Sequence, residues 1–237
     1  MRVVVLTTGG DYGHWIVDGL TERGVSIAAI VFDAYRPKAR VALRRPRRLL
    51  GPFRRWLGIR GLSGHAPLRV VGNLNDKRST RMLARLEPDL LVLAGARILS
   101  RSVLETASWG GLNAHPAHLP GFRGTGVVGW SVLRNTPVTV TVHVVSPDVD
   151  AGDVVERRLV PIQPEDKLAD IQDRADLLCA EALADVAAAV ASGEEIEREP
   201  QSGTHEILRW LDAERLAEAE DRVAHGEALR LYREARG

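Results

Sequence analysis

Cysteine is almost absent: the 237-residue chain has one, Cys179. A lone cysteine excludes an internal disulfide, and its place in a helical pattern reads as a small buried apolar group. No apolar run reaches 18 residues, so no segment is expected to span a membrane. The N-terminus has only four apolar residues in a row, Val3 to Leu6, and lacks the longer apolar stretch of an export signal. Without disulfides or such a signal, a cytoplasmic location is expected. Net charge is also nearly absent, at +1, so no global field favours nucleic acid as a partner. Acidic residues are missing altogether from Ala34 to Asn75, a span that holds ten arginines and one lysine. That span reads either as a solvated basic stretch or as contacts to an anionic substrate. Lysine is scarce everywhere, three against 29 arginines, which fits the composition of a GC-rich coding sequence.

Hydrophobic residues make up 45% of the chain, enough for a sizeable core at this length. Residues 2–7, RVVVLT, form an apolar run bounded by Gly9 and Gly10, the pattern of a strand buried on both faces. A helix over 14–23 is expected to bury Trp15, Ile16 and Leu20, with Gly24 ending it, and a second strand is expected over 25–32. Further strands are expected at 68–72 and 88–95, and helices at 79–87, capped by Ser79 or Thr80, and at 100–107. After residue 126 the pattern gives a helix at 127–134, strands at 138–145 and 153–160, and a long helix over 166–191. That helix carries Leu168, Ile171, Ala175, Leu178, Ala182, Val186 and Val190 at helical spacing. A charged helical tail closes the chain. The alternation predicts an α/β fold: an open, mostly parallel, Rossmann-like sheet flanked by helices. Residues 1–195 are expected to form the catalytic domain, and residues 196–237 a small helical C-terminal extension.

Three places could carry chemistry. Gly9-Gly10-Asp11 follows the first strand, but its glycine spacing is wrong for dinucleotide binding and reads first as a tight turn. His115 and His118 have an H-x-x-H spacing, yet Pro116 and Pro120 exclude the helix that would turn both toward one metal, so no metal is expected. Asn113 and His115 are different. In a strand, residues i and i+2 share a face roughly 7 Å apart. Here they stand where an apolar strand meets a Pro/Gly loop, the crevice end of strands in an open α/β sheet. Acidic residues follow another strand, at Asp148, Asp150 and Asp153. An Asn donor, a His acid/base and an Asp partner suit acyl transfer. No serine or cysteine nucleophile accompanies them, which points to direct attack by the acceptor.

The block Asn113-Ala114-His115-Pro116-Ala117-His118-Leu119-Pro120, the Gly-rich loop after it, the Val138-to-His143 strand and Asp150-Ala151-Gly152 resemble the folate-dependent formyltransferases. So does the run from Pro88 to Gly95 leading into Arg97-Ile98-Leu99. The resemblance covers roughly residues 1–190. It implies a catalytic trio of Asn113, His115 and Asp150, with 10-formyltetrahydrofolate as co-substrate. The pterin would lie against Arg97, Ile98 and Leu99 and the loop of Val145, Ser146 and Asp148. His143 is implied to be structural. Ala117 stands where the family commonly has serine, and His118 where it usually has an apolar residue.

The resemblance implies an amine acceptor, small or carrier-bound. Asp11 in the first turn argues against a phosphate loop of the glycinamide ribonucleotide type. The 42 residues after 195 argue against the barrel domain of the methionyl-tRNA enzymes. An amino sugar nucleotide is the expected acceptor, with residues 36–60 as a pyrophosphate clamp. An amino acid or hydroxylamine acceptor, and a formyltetrahydrofolate hydrolase-like activity, are the alternatives. No membrane partner is expected, and the charged tail leaves a homodimer interface or a cover on the site open.

Overall fold

The computed structural model describes residues 1–35, 61–203 and 206–237. Residues 36–60, most of the basic span and the expected clamp, lie outside the described residues.

The main strands are β1 (Val3–Thr7), β2 (Ile27–Asp33), β3 (Leu68–Val71), β4 (Leu90–Ala94), β5 (Gly110–His115), β7 (Thr139–Val144) and β8 (Val154–Leu159). They form one open sheet in the order β3-β2-β1-β4-β5-β7-β8. β1 pairs in parallel with β2 and β4, β2 with β3, and β4 with β5, while β7 and β8 run antiparallel. The short strands β6 (Arg123–Gly124) and β9 (Ile207–Leu208) make a separate parallel pair. The helices are α1 (Asp11–Glu22), α2 (Lys77–Arg85), α3 (Arg101–Leu104), α4 (Val127–Leu133), α5 (Leu168–Ser192), α6 (Ala213–Ala224) and α7 (Glu227–Arg236). The open, mostly parallel α/β architecture is the one expected.

The chain divides into two compact units, Met1–Leu112 with Ala187–Glu195, and Asn113–Val186 with Ile196–Gly237. Residues 196–237 thus belong to the second unit.

In the first unit, β1 and β4 are buried along their whole length. Burial on both faces is why these segments read as unbroken apolar runs. Each buried Val or Leu contributes about 1.5–3 kcal/mol relative to exposure. α1 buries Gly13, Ile16, Val17, Gly19 and Leu20. Trp15, expected on that stripe, is instead 39% exposed. Gly13 explains the choice of face: a Cβ there would meet the Thr7 hydroxyl at 2.7 Å, so the helix lies close on β1 where it has no side chain. α2 begins two residues earlier than expected. Its cap is Asp76, whose carboxylate accepts from the Ser79 backbone N–H at 2.7 Å, and not Ser79 or Thr80. That bond holds the Asp76 carboxyl below its ordinary value.

In the second unit, α5 buries Ile171, Ala175, Cys179, Ala182 and Val186. Cys179 takes the place on the stripe expected of Leu178, which is only half-buried. Burial pushes the Cys179 thiol well up, in keeping with an inert packing role. The tail carries two helices, α6 and α7, joined at Gly226, whose φ of 79° suits the turn. α6 packs on α4.

Candidate active site

β5 ends at His115, and its last residues set the geometry of the site. Asn113 is half-buried and His115 is 5% exposed. Both belong to the second unit, as do Asp150 and His143.

His115 Nε2 lies 2.8 Å from the Phe122 carbonyl. A carbonyl only accepts, so Nε2 carries a proton and donates it there. The remaining ring nitrogen, Nδ1, faces Asp150 Oδ2 at 3.6 Å. Nδ1 is therefore where His115 can gain or lose a proton, and the resulting imidazolium would meet a carboxylate. Asp150 Oδ2 also accepts the Gly124 N–H at 3.0 Å. Asp150 has a φ of 46°, the left-handed region that costs a non-glycine residue energy. Two residues on, a Cβ at Gly152 would meet the Val144 carbonyl at 1.8 Å, so the turn is pressed onto β7 as only glycine allows.

His143, implied to be structural, touches the same cluster. Its Nδ1 donates to the Val144 carbonyl at 2.9 Å, which leaves Nε2 to accept from the Asn113 amide at 3.2 Å. Nε2 is also 3.8 Å from Asp150 Oδ1. Burial lowers the His143 pKa to about 4, against the pull of Asp150, so the ring is neutral and can accept. One Asn113 N–H is thereby committed to His143, and the second is left to point elsewhere.

The loop after β5 is held by polar contacts, buried at Thr141 and more exposed at Arg157. The Thr141 hydroxyl donates to the Ala117 carbonyl at 2.6 Å and accepts from Leu119 N–H at 3.3 Å. The Arg157 guanidinium donates to the Leu119 carbonyl at 3.2 and 3.0 Å and pairs with Glu199 at 2.6 Å. The Leu119–Pro120 peptide bond is cis. His118 is exposed, and its imidazole is held below its ordinary value by partial burial and by Arg157. Of the H-x-x-H pair, His115 is buried and His118 is exposed.

The first unit holds three of the other expected site residues, Arg97, Ile98 and Leu99, and the second holds Val145, Ser146 and Asp148. Arg97 Nε meets Asp33 Oδ2 at 2.6 Å, its Nη1 donates to Asn73 at 3.2 Å, and its guanidinium sits 3.9 Å from the Tyr35 ring centre. Ile98 is 61% exposed, whereas the Leu99 side chain is buried. In the second unit, Ser146 Oγ donates to the Asp148 carbonyl at 3.1 Å, and Val145 and Ser146 are half-buried.

Sequence reasoning passed over Thr141, Arg157 and Gln201. A signal existed for the first: alternation along β7 puts Thr141 on the same face as His143, and both are buried. Arg157 stands opposite Thr141 in the β7–β8 register, which only the pairing reveals. Gln201 had no local signal.

A polar cluster of Asn, His and Asp where a strand ends, in an open α/β sheet, defines a class of enzyme-like site. Residues 1–187 match the formyl transferase family, and the chain belongs to it. It is 30% identical over 166 residues to the methionyl-tRNA formyltransferase of Syntrophus aciditrophicus, a match covering 69% of this chain and 51% of that protein. The chain thus spans about half the length of this curated relative. A sugar N-formyltransferase from Shewanella sp. shares the fold with a TM-score of 0.62 at 16% identity, covering 94% of this chain and 87% of that one. Glycinamide ribonucleotide transformylase 1 from Symbiobacterium toebii gives a TM-score of 0.62 at 22% identity, over 85% of this chain and 94% of that one. Among the described residues no helix is long and apolar enough to cross a membrane.

Proposed function

We propose that the chain is an N-formyltransferase that moves a formyl group from 10-formyltetrahydrofolate to an amine of a small or carrier-bound acceptor. The observation that carries this reading is the pairing of His115 Nδ1 with Asp150 at 3.6 Å beside an Asn113 amide held by His143. The amine nitrogen attacks the formyl carbon and the bond from that carbon to the folate nitrogen breaks. The free Asn113 N–H and the His115 imidazolium offset negative charge developing on the formyl oxygen. Asp150 supports the imidazolium and passes the amine proton toward the folate nitrogen. Amine, formyl group and proton balance without a covalent enzyme intermediate.

The pterin is proposed to lie against Arg97, Ile98 and Leu99 and against Val145, Ser146 and Asp148. Ile98 offers exposed apolar surface, and Arg97, Leu99, Val145, Ser146 and Asp148 are proposed as pterin contacts on the family resemblance. Arg97 contributes backbone because its side chain is engaged by Asp33, Asn73 and Tyr35.

The acceptor class proposed is an amino sugar nucleotide, on the positive charge of residues 36–60. The test is a panel of amines incubated with 10-formyltetrahydrofolate, following release of the folate. One amine, an amino sugar nucleotide on this reading, is expected to drive the release. His115→Ala and Asp150→Ala are expected to stop it, and full activity in both variants overturns the site. Release of formate without any amine would identify a hydrolase instead.

A further inference from the structure

We propose that Gln201, which lies beyond the residues that match the family, is the positioning residue for the Asp150 turn. The inference rests on the role proposed above for Asp150.

The Gln201 side-chain amide nitrogen donates to two carbonyls of that turn, Asp150 at 3.1 Å and Gly152 at 2.6 Å. Its oxygen accepts twice from the Arg123 guanidinium, at 3.2 and 2.8 Å. Both N–H groups and the oxygen are thereby used, and the arginine fork fixes which end of the amide faces the turn. The turn needs such a partner. Asp150 is left-handed at φ 46° and Gly152 is pressed onto the Val144 carbonyl, so the backbone there holds its shape only if surrounding groups determine it.

The neighbouring contacts place Gln201 and reach the same turn at a second point. Glu199 and Val154 exchange reciprocal backbone bonds of 2.8 Å, which set the register of the segment. β9 pairs Leu208 with Gly124, and Gly124 donates to the Asp150 carboxylate. A Cβ on Gly124 would meet the Leu208 carbonyl at 2.2 Å, so this approach depends on glycine. Gln201 therefore reaches the Asp150 turn at its carbonyls, and Leu208 reaches it through Gly124 at its carboxylate.

The test separates holding Arg123 from holding the turn. Gln201→Glu keeps the length and pairs with Arg123 as an ion pair, but can donate nothing to Asp150 or Gly152. Gln201→Met keeps the bulk and loses both sides. With the folate donor and the active amine, both variants are expected to lose roughly tenfold or more in kcat while KM for the donor stays within about twofold. The amide resonance of Gly124, which reports the bond to the Asp150 carboxylate, is expected to move in both. A Gln201→Glu protein with unchanged kcat and an unchanged Gly124 resonance overturns the proposal. The Gly124 resonance needs no formyl transfer, so it decides the positioning role even if no amine on the panel is formylated.

Discussion

Asp33 with Arg97 and Asp150 with His115 are acid–base pairs near strand ends, and they are built for opposite purposes. In the first unit, Asp33 is wholly buried and saturated. Its Oδ2 takes Arg97 at 2.6 Å and its Oδ1 takes the Tyr35 N–H at 2.9 Å, while the Tyr35 ring covers the guanidinium. In the second unit, Asp150 faces His115 at 3.6 Å and His143 at 3.8 Å, neither within hydrogen-bond reach. A saturated pair gives stability and has no group left for a reacting atom. A loose pair contributes less to the fold and leaves a nitrogen and a carboxylate oxygen for proton transfer. Site reasoning from charge alone would have ranked Asp33, at the end of the second strand, beside Asp150.

The comparison breaks most sharply by substituting each acid. Asp150→Asn is expected to reduce formyl transfer by about 10³-fold or more, equivalent to about 4 kcal/mol in the barrier, with its unfolding midpoint in urea nearly unchanged. Asp33→Ala should do the reverse. It leaves a mostly buried guanidinium without its carboxylate, and a loss of about 3 kcal/mol in folding stability is expected, at the low end because Asn73 and Tyr35 still hold Arg97. Urea unfolding of both variants, with activity per folded molecule, checks the contrast. If Asp150→Asn proves the more destabilising and Asp33→Ala the less active per folded molecule, the assignment of roles is reversed.

The third test uses His143, a buried neutral base within the loose pair. In the folded chain it takes a proton only near pH 4, whereas the unfolded chain takes one near 6.5. Between those values protons favour the unfolded state, so the contribution is intact above about pH 6.5 and is lost as pH falls toward 4. The groups facing the ring are Asn113, Asp150, His115 and Arg123. Over that window the wild type should lose roughly 3 kcal/mol more than His143→Gln, which cannot titrate. Urea unfolding at a series of pH values reads the difference, and parallel slopes for the two proteins would refute a neutral His143.

How much of this was legible follows from range. β1 and β4 could be read because burial on both faces writes itself into consecutive residues, and Gly9 and Gly95 mark their ends with positive φ. The shared face of Asn113 and His115 was legible from the period of a strand. The finer packing was not. Trp15 and Leu178 sit at correct helical spacing but off the most buried face: Gly13 allows α1 a closer approach, and Cys179 takes the buried position on α5. The Asp76 cap was missed because a Ser and a Thr near the helix start offered plausible caps of their own. Asp150 could be singled out from its acidic neighbours only through resemblance to a family. The Asn113–His143 bond spans 30 residues and the Gln201 bonds to the Asp150 turn span 51 and 49, separations that no local pattern encodes.

The smallest expected effect concerns the loop that follows β5 in the second unit, between the strands that carry the proposed catalytic residues. Thr141 is fully buried, and its hydroxyl serves both the Ala117 carbonyl and the Leu119 N–H. Thr141→Val keeps the shape and removes only that oxygen, so two backbone groups lose their partner, at a cost of about 1–2 kcal/mol. Because the same loop carries the Phe122 carbonyl that fixes His115 Nε2, a purely local stability loss would leave kcat intact, whereas a shifted loop would lower kcat as well. A several-fold fall in kcat is expected alongside the lower urea midpoint. An unchanged kcat would show that the His115 ring is oriented by Phe122 without help from Thr141, and would confine the site's demand for order to the Asp150 side.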